Sequence, residues 1–270
     1  MTAAAATQKW IIQFHPVGEA PSRLLCFPHA GGAASYFHPL AAALRTSGVD
    51  VAAVQYPGRQ ERRLEPPAAD VDELVDLALP ALVEHVDART VLFGHSMGAV
   101  VAFEAARRLQ SEHGIVPMGL VVSGRRGPLT VRNEQLHLAD DATFVSRIRR
   151  LSGTDGRLFD DPEMLALVLP ALRSDYRAIE THRHRPGEQL RCPLTVFVGD
   201  QDPQATVEEA QEWRNHTAAD HRFRTFPGDH FYLRGWPAPV VDELAAAIGL
   251  FEQAAARAGR TAGGTSPARQ

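Results

Sequence analysis

The feature that most constrains this chain is a pentapeptide at 94–98, Gly-His-Ser-Met-Gly, set between two segments of different character. The residues before it, 90–93, form an apolar, β-prone run with the length of a buried strand. The residues after it, 99–109, are rich in helix formers. A serine in so tight a strand-to-helix turn is strained, and the two glycines remove side chains that would collide. We therefore predict that Ser96 projects its hydroxyl over the carboxyl edge of a sheet, where the first helical amides point at it.

Segments of strand and helix character alternate along most of the chain. Strands are predicted at 10–14, 23–27, 49–55, 90–93, 120–123, 194–198 and 221–226, and helices between or after them at 34–45, 71–86, 99–109, 207–215 and 239–252. This alternation predicts an α/β fold with a mostly parallel central sheet and helices on both faces. Ligands of such sheets bind at the carboxyl ends of the strands.

The region 129–185 does not follow this alternation of strands and helices, because it contains no predicted strand. Two helices fit it instead, at 140–151 and 161–180, and Pro170 is predicted to bend the second. We interpret 129–185 as a helical lid inserted into a core formed by 1–128 and 186–256. The glycines at 153–156 are predicted to let the lid move, and the Gly-rich, polar end at 257–270 is predicted to be disordered.

Composition excludes several classes of protein. The net charge of −4 does not indicate a surface that binds nucleic acid. No apolar run approaches the roughly 18 residues of a membrane helix. The start of the chain, 1–8, has no basic and apolar signal-peptide pattern, so a cytoplasmic protein without nucleic-acid or membrane partners is expected. The two cysteines, Cys26 and Cys192, lie beside apolar runs and are interpreted as buried small hydrophobes.

A serine hydroxyl needs a base within hydrogen-bond reach, and the base needs an orienting carboxylate. Of twelve histidines, His230 is favoured because it closely follows a predicted strand, whereas the side chain of His95 should point away from its neighbour Ser96. The segment 199–203 follows another strand and offers Asp200 and Asp202, one of which is expected to be only a turn residue. The resulting order of serine, aspartate and histidine is that of α/β-hydrolases.

When a serine attacks a carbonyl group, the carbonyl oxygen becomes negatively charged, and two backbone N–H groups are needed to stabilise this oxyanion. The residue after the serine, Met97, is predicted to supply one. The other is predicted to come from Ala30, in the glycine-containing loop that follows the second strand.

Six segments, in order between about residues 23 and 250, resemble the signature of type II thioesterases of polyketide and nonribosomal peptide synthesis. They are 27–32 (Phe-Pro-His-Ala-Gly-Gly), 56–59 (Tyr-Pro-Gly-Arg), 94–98, 123–126 (Ser-Gly-Arg-Arg), 169–176 and 228–233 (Gly-Asp-His-Phe-Tyr-Leu). The resemblance implies an α/β-hydrolase core, a helical lid and a triad of Ser96, Asp202 and His230, because the family pattern Gly-x-x-Asp selects Asp202 over Asp200. It also implies hydrolysis of acyl thioesters on the phosphopantetheine arms of acyl or peptidyl carrier proteins, clearing aberrant or stalled acyl groups, with no metal or cofactor. We expect a monomer.

Three other functions fit the same residues. The triad would also cleave oxygen esters as a general carboxylesterase, or pass its acyl group to another nucleophile as an acyltransferase. A non-catalytic binding module on this fold is the alternative outside enzymes, although it would be expected to lack one of the three side chains.

The predicted lid helices carry apolar stripes at helical spacing, at Phe144, Ile148 and Leu151 in the first and at Leu165, Leu169, Leu172, Tyr176 and Ile179 in the second. The stripes either pack only on each other and the core, or partly roof the site over Ser96. In the second case the acyl pocket would include Phe144, Ile148, Leu169, Leu172 and Tyr176.

Overall fold

The computed structural model describes residues 9–16, 20–151 and 161–263. Within them, seven strands form one sheet in the order β1-β3-β2-β4-β5-β6-β7. The strands are β1 (Ile11–Phe14), β2 (Ser22–Phe27), β3 (Val49–Val54), β4 (Thr90–His95), β5 (Gly119–Ser123), β6 (Leu194–Gly199) and β7 (His221–Phe226). Only the edge strand β1 is antiparallel to its neighbour, β3, and the other pairs are parallel. The predicted α/β architecture is therefore confirmed.

The order of the strands determines where the site lies. From β2 the chain moves outward to β3, then returns across β2 to form β4 on its other side. The crevice at the carboxyl ends of β2 and β4 is thus the switch point at which such sheets bind ligands. Phe27, the last residue of β2, pairs with Gly94 of β4, so the loop after β2 starts beside the serine turn.

Helices cover both faces of the sheet. The helices of the described residues are α1 (His38–Leu44), which follows a 3-10 turn at Ala34–Phe37, α2 (Val71–His85), α3 (Met97–His113), α4 (Asp141–Arg150), α5 (Pro162–Thr181), α6 (Val207–Ala210), which continues as a 3-10 turn at Gln211–His216, and α7 (Ala238–Gly263). Of these, α4 packs against α5 and not against the sheet. Alternate residues of β2 enter opposite cores, Leu25 and Phe27 on the side of α2 and α3 and Leu24 and Cys26 on the side of α1 and α7. This double burial explains the continuous apolar runs of the central strands.

Two sequence predictions need correction. The helix predicted over 207–215 is α-helical only as far as Ala210, and the 3-10 turn that follows buries Trp213, whose indole N–H donates to the carbonyl of Arg125 at 2.8 Å. The disordered tail predicted over 257–270 is wrong for 257–263, because α7 continues to Gly263. The alanines at 254–256 are strong helix formers that carry the helix past its predicted end.

Some expectations concern residues outside the described ranges: the segment 1–8, the glycines at 153–156 and the last residues, 264–270. The helix α5 continues through Pro170 over 20 residues, and the bend there stays a prediction. No helix in the described part of the chain is both long and apolar enough to cross a membrane.

Candidate active site

Ser96 lies in a strained turn between β4 and α3. Its backbone has φ 55° and ψ −117°, a conformation that residues other than glycine rarely adopt, and its amide donates to the carbonyl of Ser123 at 2.8 Å. A β-carbon added to Gly94 would lie 2.1 Å from the carbonyl oxygen of Gly98, and one added to Gly98 would lie 2.0 Å from that of Phe27. Only glycine fits at either position, so the turn has the geometry predicted from the sequence.

His230 lies between Ser96 and Asp202. Its Nε2 is 2.9 Å from Ser96 Oγ, and its Nδ1 is 2.8 Å from Asp202 Oδ2. The other carboxylate oxygen of Asp202 accepts from the amides of Gln204 at 2.7 Å and Ala205 at 3.3 Å. A carboxylate at Nδ1 favours the tautomer with the proton on Nδ1, which leaves Nε2 free to accept the serine proton. His230 and Asp202 are each only 4% exposed, so the hydrogen bond between them is shielded from water, while Ser96 is half-buried.

The two aspartates after β6 have different surroundings. Asp200 is exposed, and its Oδ1 accepts from the amide of Gly228 at 2.9 Å, across the turn that leads to the histidine. Asp202 is buried and contacts His230 directly. The structure thus places Asp200 in the turn and Asp202 at the imidazole.

His95 is directed away from the serine hydroxyl, as the sharp turn predicts. Its Nδ1 is 2.9 Å from Ser123 Oγ, which in turn is 2.6 Å from the hydroxyl of Tyr232. All three residues are buried. They form a polar network behind the ring of His230, whose centroid lies 5.1 Å from that of His95.

Two buried histidines next to His230 are held neutral. Burial lowers the pKa of His29 to about 3, and electrostatic interactions with His230 and Arg59 lower it further. Burial likewise lowers the pKa of His95 well below its usual range, with the same contribution from His230. Both rings are therefore neutral at neutral pH. Among the described residues, His230 is the histidine whose ring nitrogen lies within hydrogen-bond distance of Ser96 Oγ, which places it to take the serine proton.

The two amides predicted for the oxyanion lie on adjoining segments. Met97 is the first residue of α3, where a helix leaves its amides without partners inside the helix. Ala30 lies in the loop that follows β2. The close packing of Gly98 on the carbonyl of Phe27 brings this loop beside the start of α3. The arrangement is compatible with an oxyanion hole formed by Ala30 and Met97.

The helix α5, in the region predicted to form a lid, lies directly on this loop. Gly31 has a φ of +73°, and a β-carbon there would lie 2.5 Å from Leu172 Cδ1. The amide of Gly31 donates to Asp175 Oδ2 at 2.7 Å, and the same carboxylate oxygen pairs with Arg59. Both Arg59 and Asp175 stood in motif segments of the sequence, but sequence reasoning gave them no role, because nothing local shows that they meet.

The apolar stripes of α4 and α5 form a third, smaller hydrophobic cluster. Phe144, Ile148 and Leu172 are its buried members, and Leu136, Val145, Leu165, Leu169 and Tyr176 pack against them. The predicted stripe of α5 is not one surface, however, because Ile179 belongs to the main core under the sheet. Most of the stripe therefore packs between α4 and α5, while Leu172 also covers the loop after β2.

The described residues include no group of three or more histidine, cysteine or carboxylate side chains arranged to bind a metal ion. Cys26 and Cys192 are both free and buried, as predicted. Burial raises the pKa of Cys192 to about 12 and also raises that of Cys26, so both stay protonated thiols at neutral pH.

A strained serine at the switch point of a mostly parallel sheet, hydrogen-bonded to a histidine and an aspartate that follow later strands, defines the α/β-hydrolase class of serine hydrolases. Comparison with known proteins narrows this class. The model of the thioesterase domain family matches residues 22–248. Thioesterase PikA5 of Streptomyces venezuelae is 50% identical over 225 residues, which cover 83% of this chain and 80% of that protein.

Solved structures agree. The type II thioesterase BorB from the borrelidin biosynthetic cluster has a TM-score of 0.81 and 44% identity, covering 90% of this chain and 98% of BorB. YbtT, a type II thioesterase from the yersiniabactin NRPS/PKS pathway, has a TM-score of 0.75 and 28% identity, covering 90% of this chain and 97% of YbtT. The chain belongs to the thioesterase family, in its type II group, and is a serine hydrolase that acts on thioesters.

Proposed function

We propose that this chain hydrolyses acyl groups from the phosphopantetheine arms of acyl or peptidyl carrier proteins, and so clears stalled chains in a polyketide or nonribosomal peptide pathway. The observation that carries the proposal is the line of hydrogen bonds from Ser96 through His230 to Asp202 in a chain of the type II thioesterase group. The named origins of BorB and YbtT support the pathway type.

In the acylation step, Ser96 Oγ attacks the thioester carbonyl while His230 Nε2 takes the hydroxyl proton. Asp202 stabilises the imidazolium and holds its orientation. The carbonyl oxygen becomes negative and accepts from the amides of Ala30 and Met97. When the tetrahedral intermediate collapses, the carbon–sulfur bond breaks and His230 protonates the departing pantetheine thiolate, which leaves as the thiol.

In the deacylation step, water attacks the acyl-serine ester and His230 takes one of its protons. The same two amides stabilise the second oxyanion. Collapse breaks the bond to Ser96 Oγ, which recovers its proton from His230, and the free carboxylic acid leaves.

A kinetic comparison tests the substrate class. Carrier-bound acyl thioesters are expected to be cleaved with a higher kcat/KM than simple oxygen esters of the same acyl chain, and to yield the free acid. Release is measured by mass spectrometry of the carrier and of the small-molecule product. Faster cleavage of the oxygen ester would indicate a general carboxylesterase, and transfer of the acyl group to an added thiol or amine without free acid would indicate an acyltransferase.

We propose that the acyl pocket is lined by the lid cluster, at Phe144, Ile148, Leu169, Leu172 and Tyr176. Leu169 is half-buried and packs on this cluster, whereas Leu167 on the same helix is 55% exposed. Leu169→Trp is expected to lower kcat/KM by roughly tenfold or more for long acyl thioesters, and much less for short ones, because the larger ring occupies space that only long chains need.

Kinetics with a series of acyl pantetheine thioesters of increasing length measure this effect, and Leu167→Trp is the matched control that adds the same ring facing solvent. Equal losses at every chain length, together with a lower melting temperature, would mean that the stripe is only a packing surface of the lid.

A further inference from the structure

Two motif segments, 56–59 and the part of the lid helix α5 at 169–176, meet at the loop 28–32. Neither of them contributes a residue to the hydrogen bonds that join Ser96, His230 and Asp202. From α5, Asp175 accepts the amide proton of Gly31 at 2.7 Å. The guanidinium of Arg59 donates to the same oxygen of Asp175. Asp175 is 6% exposed and Arg59 is 8% exposed, so this is a buried ion pair bonded to the backbone of the loop.

The segment 56–59 also holds the other end of the loop. The buried hydroxyl of Tyr56 donates to the carbonyl of Pro28 at 3.3 Å. Arg59 donates to the carbonyl of Pro57 at 2.9 Å, and its guanidinium lies 5.1 Å from the centre of the Tyr56 ring. The orientation of Arg59 toward the lid is therefore set by the same segment that contacts Pro28.

The peptide planes on either side of Ala30 are each held by one hydrogen bond. The carbonyl of His29 accepts from the amide of Gly32 at 2.9 Å, and because a trans peptide is planar, the Ala30 N–H in that unit points the opposite way, out of the turn. The next peptide unit carries the Gly31 N–H, which donates to Asp175. Hence the loop itself holds the first plane, and the lid helix holds the second.

We propose that Asp175 is a positioning residue that links the oxyanion hole to the seating of the lid helix. With α5 seated, its carboxylate bonds Gly31 and Arg59, and the Ala30 amide is aligned with the oxyanion. Displacement of α5 removes the carboxylate from both partners and releases the plane next to Ala30. The inference rests on the proposed function, because Asp175 acts only through the amide that contacts the reacting oxygen.

The test compares Asp175→Asn with Glu180→Gln. Glu180 is the matched control because it is a buried carboxylate on the same helix that accepts from backbone amides, those of Leu136 and His137, in a segment away from the loop. Each variant is assayed for kcat and KM with an acyl pantetheine thioester. Inhibition is measured with an acyl trifluoromethyl ketone, which forms a tetrahedral adduct with serine, and with the thioether analogue, which lacks the carbonyl. Active sites are titrated with a fluorophosphonate so that every rate refers to folded enzyme.

We expect Asp175→Asn to lower kcat by about 10- to 100-fold with little change in KM. A neutral amide oxygen holds Gly31 and Arg59 less firmly than the carboxylate does, and an oxyanion contact is stronger in the transition state than in the bound substrate. The ketone should bind more weakly by a similar factor, while affinity for the thioether stays unchanged. Glu180→Gln should retain ketone affinity within about threefold even if its melting temperature falls.

Unchanged ketone affinity in Asp175→Asn would overturn the inference, whatever happens to its stability. If that variant gives too little folded protein, Asp175→Glu keeps the charge opposite Arg59 but displaces the oxygen by one methylene, and the same parallel loss of kcat and ketone affinity is expected of it. Wild-type enzyme that fails to cleave the thioester would contradict the proposed function instead, so the two failures are distinguishable.

Discussion

Replacing Ser96 by alanine is expected to lower kcat for acyl thioesters by about 10⁴-fold or more, because no other group in the site supplies the nucleophile. The fold should be retained. Alanine keeps the β-carbon at φ 55°, so the backbone strain of the turn is unchanged, and the hydroxyl that is lost bonds only the side chain of His230. Steady-state kinetics with a carrier-bound thioester and thermal unfolding monitored by circular dichroism measure the two effects.

Ser123→Ala is the matched control, because Ser123 is another serine at the carboxyl edge of the sheet whose hydroxyl contacts His95 and Tyr232 but not His230. That variant should lose stability and keep most of its activity. If Ser96→Ala retained more than a few per cent of the activity in a preparation free of wild-type enzyme, this result would falsify the assignment of the nucleophile.

Asp202→Asn is expected to lower kcat by about 10⁴-fold, the size of effect seen when a triad carboxylate becomes an amide. An amide at this position no longer stabilises the imidazolium and permits the tautomer with the proton on Nε2, which cannot accept from Ser96. The carboxylate is also bonded to the amides of Gln204 and Ala205, and an asparagine oxygen retains an acceptor for them, so a folded protein is expected.

Asp200→Asn provides the comparison, since Asp200 lies two residues away at the same strand end and bonds the amide of Gly228 rather than the imidazole. It should reduce kcat by less than about tenfold. Equal losses in the two variants, or a larger loss in Asp200→Asn, would reverse the assignment of the acid.

Most strands were predictable to within a residue or two, because central strands of a parallel sheet are buried on both faces and appear as short apolar runs. The end of α7 was not, because a polar, Gly-rich composition is typical of disorder, whereas alanines continue the helix there. The 3-10 turn after α6 also escaped prediction, since the burial of Trp213 and its bond to Arg125 are contacts across 88 residues of sequence.

In the candidate site, too, some features follow from the local sequence and others depend on contacts between distant parts of the chain. The turn at Ser96 follows from local rules, because the two glycines and the change from strand to helix character all lie within the single segment 90–109. Even there, the tertiary structure adds a reason: Gly98 is required by the carbonyl of Phe27, on a different strand.

The sequence by itself therefore determined the strand-turn-helix around Ser96, the order of the candidate triad residues and, through its motifs, the family. Only the tertiary structure decided which residues Asp175 contacts. Its partners Gly31 and Arg59 lie 144 and 116 residues away along the chain, and all three meet because the crossover of β2 and β4 leaves a loop that α5 covers. Periodicity and turn chemistry act over a few residues, whereas a buried ion pair depends on the packing of whole elements, which no local pattern specifies.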